Sequence, residues 1–427
     1  MSMQRQLTRL FTGDVSLLVL SGIAAQVINL AAYPLLTQSY SPADFGTFAV
    51  ISALATFSGA AILLRFDTII QIVDPDEEET ILSAAVVTGF GLALAVMALM
   101  LVFGEWMFTL FGADADWHAG YALVLPVLAL MNGLFALSRQ YFAKTRRYRR
   151  FSAANFLRTL TMVVAQLSLV VVLPGPAGLI AGFALGLTMA LVLAWPVPVF
   201  LLTRVAATPR IALRTARVAI HRHRAFIRVD VVNVLIAASV LSIYPIIVLI
   251  GFGAEEAGIF AVASRLVFIP IDVLAASIST VYFQRFSHAV RQGEGIMRVY
   301  VVTLATATVV ALAVALIVGV VAEPFVSLFF PPEWSRVSHT MLLLLPTFAV
   351  RFIIGCVGNT PLAIRRPVVL FFRNTTQILI LITTWILFIG NELTSFLLAS
   401  GFSLSLAGIV YALSLAYLIG NRSGNEK

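Results

Sequence analysis

The sequence predicts an all-α integral membrane protein of about twelve transmembrane helices, arranged as two pseudo-symmetric bundles of about six. Three observations predict it. The 427-residue chain is 60% hydrophobic and only 11% charged, with mean hydropathy +0.99. Soluble domains carry ~25% charged residues, and a surface so poor in charge needs lipid as its solvent. Apolar runs of about 20 residues recur throughout, with Gly and Pro scattered inside them, as in spanning helices and unlike the short alternating strands of a barrel. Finally, the chain echoes itself. Ser41 to Ser52 (SPADFGTFAVIS) returns about half a chain later as Gly253 to Ser264 (GAEEAGIFAVAS). Gly46, Phe48, Ala49, Val50 and Ser52 recur as Gly258, Phe260, Ala261, Val262 and Ser264. Asp44 recurs as Glu256, and Tyr33-Pro34 as Tyr244-Pro245. A period near half the length means two related halves.

The expected spans follow in order. The first half gives Val15–Leu36, Gly46–Phe66, Ile81–Phe103, Ala119–Phe142, Ser152–Leu173 and Gly178–Leu202. The second gives Phe226–Ile250, Ala257–Phe283, Met297–Val320, Val337–Pro361, Val368–Ile389 and Leu393–Leu418. The domains are thus residues 1–202, a basic linker 203–225, and residues 226–427. Arginines precede the first apolar run as in a secretory leader. That run is long enough to span and no small-residue cleavage site follows, so it is expected to remain as the first helix.

Basic residues set the expected orientation. With a cytoplasmic N-terminus, the cytoplasmic segments collect Arg5 and Arg9, the run Lys144 to Arg150, the run Arg204 to Arg228, Arg285 to Arg298, Arg365 to Arg373, and Arg422 with Lys427. The opposite side holds only Arg336. That bias places both termini in the cytoplasm. An even number of spans per half inserts both halves the same way, related by an axis along the membrane normal. The later parts also rhyme. Leu110-Phe111, Trp117, Pro126 and Arg146-Arg147 answer Leu328-Phe329, Trp334, Pro346 and Arg365-Arg366. Trp117 and Trp334 are expected at the outer interface. In the linker, Thr208 and Pro209 suit a helix start. Arg210, Arg214, Arg217, His221, Arg224 and Arg228 then share one face. That reads as a basic helix on the cytoplasmic leaflet, either a topology anchor or a docking face for a soluble partner.

Setting aside the arginines assigned to the cytoplasmic ends, five fall inside spans: Arg65, Arg139, Arg158, Arg265 and Arg351. An arginine at mid-bilayer costs at least ~2.5–3.5 kcal/mol and usually faces a bundle interior or a wet cavity. Arg65 and Arg139 lie near helix ends and can snorkel. Arg158 and Arg265 lie about two turns in, and Arg351 is near the middle of its span. Asp272 follows Arg265 by two turns on one face, so the two could neutralise each other. Arg351 has no acidic residue within a turn or two in sequence. Asp67 and Asp230 lie at helix ends. The surplus of positive charge at depth points to an anionic cargo. Gln26 and Asn29 are the cavity candidates of the first helix, and other polar residues such as Gln166 and Asn374 read as interhelical hydrogen bonds.

Other chemistries find no signal. The single cysteine, Cys356, allows no intrachain disulfide or cysteine metal cluster. The five histidines lack metal-ligand spacing, and there is no GxxxxGK(S/T) loop for nucleotide hydrolysis. No cofactor is implied. The formal charge of +8 is accounted for by the cytoplasmic arginines and implies no nucleic-acid partner.

The run PLLTQSYSPADFGTFAV resembles a signature of the bacterial polysaccharide flippases, within the multidrug/oligosaccharidyl-lipid/polysaccharide exporter superfamily. Pro34, Asp44, Phe45, Gly46 and Phe48 carry the resemblance. It implies a V-shaped pair of bundles around a central cavity in the bacterial inner membrane. It also implies flipping of undecaprenyl-pyrophosphate-linked oligosaccharides by alternating access, feeding lipopolysaccharide O-antigen, capsule or exopolysaccharide assembly. Under this resemblance Arg351, Arg265, Arg158, Arg139, Arg65, Asn29 and Gln26 are the expected substrate-binding residues. Asp272 and Asp67 are weaker candidates for ion coupling. Expected partners are the lipid-linked oligosaccharide, membrane lipids and polysaccharide polymerase or assembly proteins. The alternatives are an ion-coupled multidrug antiporter of the same superfamily and a non-transporting scaffold for glycan enzymes. The multidrug branch commonly carries an acidic residue deep in the first helix, where this chain has Gln26 and Asn29.

Overall fold

The computed structural model describes residues 14–110, 118–195, 203, 205, 207–293, 295–366, 368–390 and 392–425. Arg5, Arg9, Phe111, Trp117, Arg204 and Lys427 lie outside the described residues. Among those described, the regular elements are all helical. They run α1 (Asp14–Leu36), α2 (Pro42–Ala61), α3 (Phe66–Ile72), α4 (Glu78–Leu110), α5 (His118–Lys144), α6 (Tyr148–Leu169) and α7 (Pro176–Leu193). There follow α8 (Pro209–Gln292), α9 (Ile296–Phe329), α10 (Arg336–Val357), α11 (Thr360–Ala363), α12 (Val368–Phe388) and α13 (Leu393–Asn425). Nine helical stretches among the described residues are long and apolar enough to cross a membrane. One of them, Ser242–Gln292, is broken at Gly253 and holds part of the expected seventh span and all of the eighth.

Contacts divide the chain into two compact units. Unit 1 comprises residues 1–40 and 47–242, and unit 2 comprises 41–46 and 243–427. In unit 1, α6 packs most extensively on α7 and then on α1. Gln166 of α6 donates Nε2–H to the Leu179 carbonyl of α7 at 3.0 Å and accepts at its own carbonyl from the Tyr40 hydroxyl at 2.7 Å. These are interhelical bonds of the expected kind. In unit 2, α10 packs between α9 and α13.

The echoed stretch explains itself locally. Ser41 and Asp44 form a capping box at the start of α2. The Ser41 amide and hydroxyl donate to the Asp44 carboxylate at 3.0 and 2.8 Å, and the Asp44 amide donates back to the Ser41 hydroxyl at 3.3 Å. Asp44 is therefore a structural cap. In the second copy, Gly253 (φ 89°, ψ 173°) breaks α8 and starts a new helix at the matching place. The two helix starts then cross inside unit 2. A Cβ on Gly46 would lie 1.9 Å from the Ala254 carbonyl oxygen, and one on Gly258 would lie 1.7 Å from that of Pro42. Only two glycines allow backbones this close.

Trp334 departs from its expectation. It is fully buried and meets Phe45 edge-on, with centroids 5.2 Å apart. Its ring packs in protein, so it is not an anchor at the membrane interface. Nearby, Arg336 binds both Glu255 and Glu256 and ties α10 to the second echoed helix.

The basic stretch runs without a break into the helix that follows it. Pro209 to Phe252 forms one helix unbroken before Gly253. At ~1.5 Å per residue it is about 66 Å long, over twice the ~30 Å hydrocarbon core. Its small-residue face, Ala212, Ala216 and Ala219, is buried. Ala216, Ala219 and Ile227 share a core with Ile81, Leu82, Ala84 and Ala85 of α4, and Arg222 pairs with Glu77 at 2.6 Å. The 3.6-residue period revealed the basic face, but not that protein covers the small-residue face beside it.

The basic turns also match in backbone. Arg146 (φ 54°) and Arg365 (φ 59°) are both left-handed. The next amides, of Arg147 and Arg366, reach back to the Phe142 and Pro361 carbonyls at 2.9 and 2.7 Å. Each is a Schellman helix end in which arginine occupies the position glycine usually takes. Arg365→Gly is expected to raise stability by ~0.5–1 kcal/mol, read as a higher thermal midpoint in detergent. An unchanged or lower midpoint would mean that the arginine side chain repays the strain.

Candidate functional site

Each intramembrane arginine is positioned differently. In unit 1 the chain leaves α2 through Leu64 (φ 49°) and Arg65 (φ 64°), two consecutive non-glycine residues in the left-handed region. Such residues cost about 1–2 kcal/mol each. They persist because α3 is locked behind them by Phe66, Ile69 and Ile70, all fully buried. The turn aims Arg65 at two carboxylates. Nε donates to Asp230 at 2.6 Å and Nη1 to Asp67 at 3.1 Å. Arg65, Asp67 and Asp230 are 16%, 7% and 23% exposed, so this is an enclosed cluster. Arg139 is exposed and close enough to act electrostatically on Asp67.

Arg158 differs. It is half-buried, and its Nε is shut off from solvent with no hydrogen-bond partner. Its guanidinium lies 5.2 Å from the centroid of Phe135, which stacks on Phe151. No carboxylate pairs with it among the described residues. Gln26 and Asn29 are half-buried on α1.

In unit 2, Arg351 of α10 donates Nη2–H to Asp272 of α8 at 2.8 Å. Its guanidinium lies 4.8 Å from the centroid of Phe268, one turn before Asp272. Arg351 therefore has an acidic partner after all, supplied by another helix, which sequence distance could not show. Arg265 is half-buried on the helix of Asp272. The pair is 37% and 51% exposed on its two sides, so protein does not enclose it and either member can exchange partners.

The structure thus groups Arg65, Asp67 and Arg139 in unit 1 and sets Arg351 against Asp272 in unit 2. The aromatic faces under Arg158 and Arg351 escaped the sequence reading. With 31 phenylalanines in the chain, nothing marked Phe135 and Phe268 as cation platforms. Chemically, Arg158 and Arg351 offer guanidinium forks suited to phosphate oxygens. The Arg65 cluster is already neutralised.

Helices of this length, hydropathy and number define a multi-pass, all-helical membrane protein with arginines held among its spans. Residues 35–339 match the family model described as polysaccharide biosynthesis protein, and the chain belongs to that family. No curated protein matches the sequence significantly. Among solved structures, the chain is similar to the lipid II flippase MurJ in an inward closed conformation. The TM-score is 0.69 at 16% identity, covering 95% of this chain and 90% of that one. An inward-facing multidrug resistance MATE family transporter of the MOP superfamily gives 0.59 at 16% identity, covering 96% of each chain. The Vibrio cholerae MATE transporter VcmN gives 0.53 at 14% identity, covering 98% and 97%. At such identities the likeness is one of fold.

Proposed function

We propose that this protein is a transporter, not an enzyme, that carries a lipid-linked oligosaccharide across the bacterial cytoplasmic membrane for surface polysaccharide assembly. The undecaprenyl-pyrophosphate carrier is the substrate class that fits best. Membership in the polysaccharide biosynthesis family supports a role in polysaccharide assembly. The observation that carries the substrate reading is Arg158, a cation among helices with no described carboxylate to neutralise it. A diphosphate in transit supplies the missing anion, and a guanidinium fork binds its oxygens by charge-assisted hydrogen bonds. In unit 2, Arg351 can release Asp272 and so offers an exchangeable anion contact of its own. Alternating access lets the head group pass while the lipid tail stays in hydrocarbon.

The test is a deletion strain assayed for lipid-linked oligosaccharide, surface glycan and drug tolerance together. The expected result is accumulation on the cytoplasmic leaflet, lost surface glycan and unchanged tolerance. Normal glycan with lowered tolerance would instead establish a multidrug antiporter.

A further inference from the structure

Unit 2 carries a groove of about 570 Å³ on α12 and α13, away from the Arg351–Asp272 pair. Phe372, Ile380, Phe402 and Leu406 line it, with Arg373, Gln377 and Tyr411 among its polar members. Phe372, Phe402 and Leu406 are 63%, 72% and 55% exposed, which in a membrane protein means exposed to lipid. Arg373 is the anomaly. Its Nε and Nη2 both donate to one neutral acceptor, the Asn374 side-chain oxygen, at 3.1 and 2.8 Å. Its guanidinium lies 5.5 Å from the Tyr411 ring centroid. No carboxylate pairs with it among the described residues. A half-buried guanidinium set against an amide, an aromatic ring and the Gly358 backbone, none of them anionic, lacks its counter-ion.

Depth identifies what supplies it. Arg373 lies five residues into α12, about 7.5 Å from the helix start, on the side of the basic Arg365-Arg366 turn. The α13 wall runs from Ser414 to Phe402, about 18 Å of helix. Half of a ~30 Å hydrocarbon core is about 15 Å. The groove therefore begins at a cation near one membrane surface and ends near the bilayer midplane, which is the reach of one acyl chain. A polyprenyl tail several times longer would overrun it.

We propose that this groove binds one anionic phospholipid of the leaflet beside the Arg365-Arg366 turn. The phosphodiester sits on Arg373 and an acyl chain lies along Phe372, Leu406 and Phe402. The site is independent of the transported substrate.

Native mass spectrometry of the full-length protein, delipidated and then offered phosphatidylglycerol, phosphatidylcholine or undecaprenyl phosphate, tests this. Wild type is expected to retain one phosphatidylglycerol at collision energies that strip phosphatidylcholine. Arg373→Gln is expected to lower that retention about tenfold. Leu406→Trp, which fills the groove and spares the arginine, is expected to do the same and keeps the test valid should Arg373→Gln fold poorly. Equal retention of the two phospholipids, or undiminished phosphatidylglycerol in Leu406→Trp, overturns the proposal. Displacement of phosphatidylglycerol by undecaprenyl phosphate also overturns it, assigning the groove to the carrier lipid.

Discussion

Replacing Arg158 with glutamine is expected to abolish surface glycan while leaving the amount of folded protein in the membrane unchanged or higher. The sign on stability follows from the missing partner. A charge among membrane helices costs at least ~2.5–3.5 kcal/mol, and glutamine removes that cost. What is lost is the face of Phe135, worth ~0.5–2 kcal/mol. The balance does not disfavour the folded protein. Transport, in contrast, loses the cation proposed to meet the diphosphate. Arg65→Gln provides the opposite signature. It leaves Asp67 and Asp230 facing each other without their shared cation, and breaking a buried pair this way costs ~3–5 kcal/mol. Its expected result is a loss of folded protein, with glycan falling in proportion. Immunoblots of the membrane fraction, thermal midpoints in detergent and surface glycan measured on the same cells separate the two. Normal glycan in Arg158→Gln would remove this residue from the site.

Gly258→Ala is expected to be the most damaging single-methyl change in the chain, with Gly46→Ala close behind. The added carbon would lie 1.7 Å from the Pro42 carbonyl oxygen, or 1.9 Å from that of Ala254 for Gly46. Carbon and carbonyl oxygen in close helix contact stand about 3.3–3.6 Å apart. The obstacle is backbone, so no rotamer change relieves it and the two helix starts must separate by more than an ångström. That would pull Phe45 from Trp334. Overpacking of this kind costs ~1–3 kcal/mol and occasionally more. Gly22→Ala is the control. Nothing lies within 4 Å of its Cβ position, and alanine gains up to ~1 kcal/mol over glycine in a helix. Fluorescence size-exclusion profiles are expected to show little monodisperse protein for Gly46→Ala and Gly258→Ala and a normal peak for Gly22→Ala. A normal peak for Gly258→Ala would mean that the crossing is looser than described.

Much of this was legible in the chain, for reasons that are local. Hydropathy over about 20 residues fixes a spanning helix because lipid offers the backbone no other hydrogen-bond partner. The Pro209 start and the paired turns at Arg146 and Arg365 are written within four or five residues, so sequence spacing finds them; the Ser41–Asp44 capping box is as local, but only the structure showed it. The echo of Gly46 in Gly258 was visible as repetition, though its purpose was not. What each glycine makes room for is the other copy's carbonyl, which lies about half a chain away.

The sequence by itself determined an all-helical membrane protein of two related halves, and named the arginines that lipid would penalise. Only the tertiary structure decided which of them are neutralised. Arg351 takes its carboxylate from Asp272 and Arg65 takes one from Asp230, each on another helix, while Arg158 has an aromatic ring. Tertiary packing also buried Trp334 and joined the basic stretch to the helix that follows it. The physical reason is common to all of these. Solvation is set by the side chain itself, but its compensation in a membrane is set by which helix lies beside it, and that neighbour is chosen by packing across the whole fold.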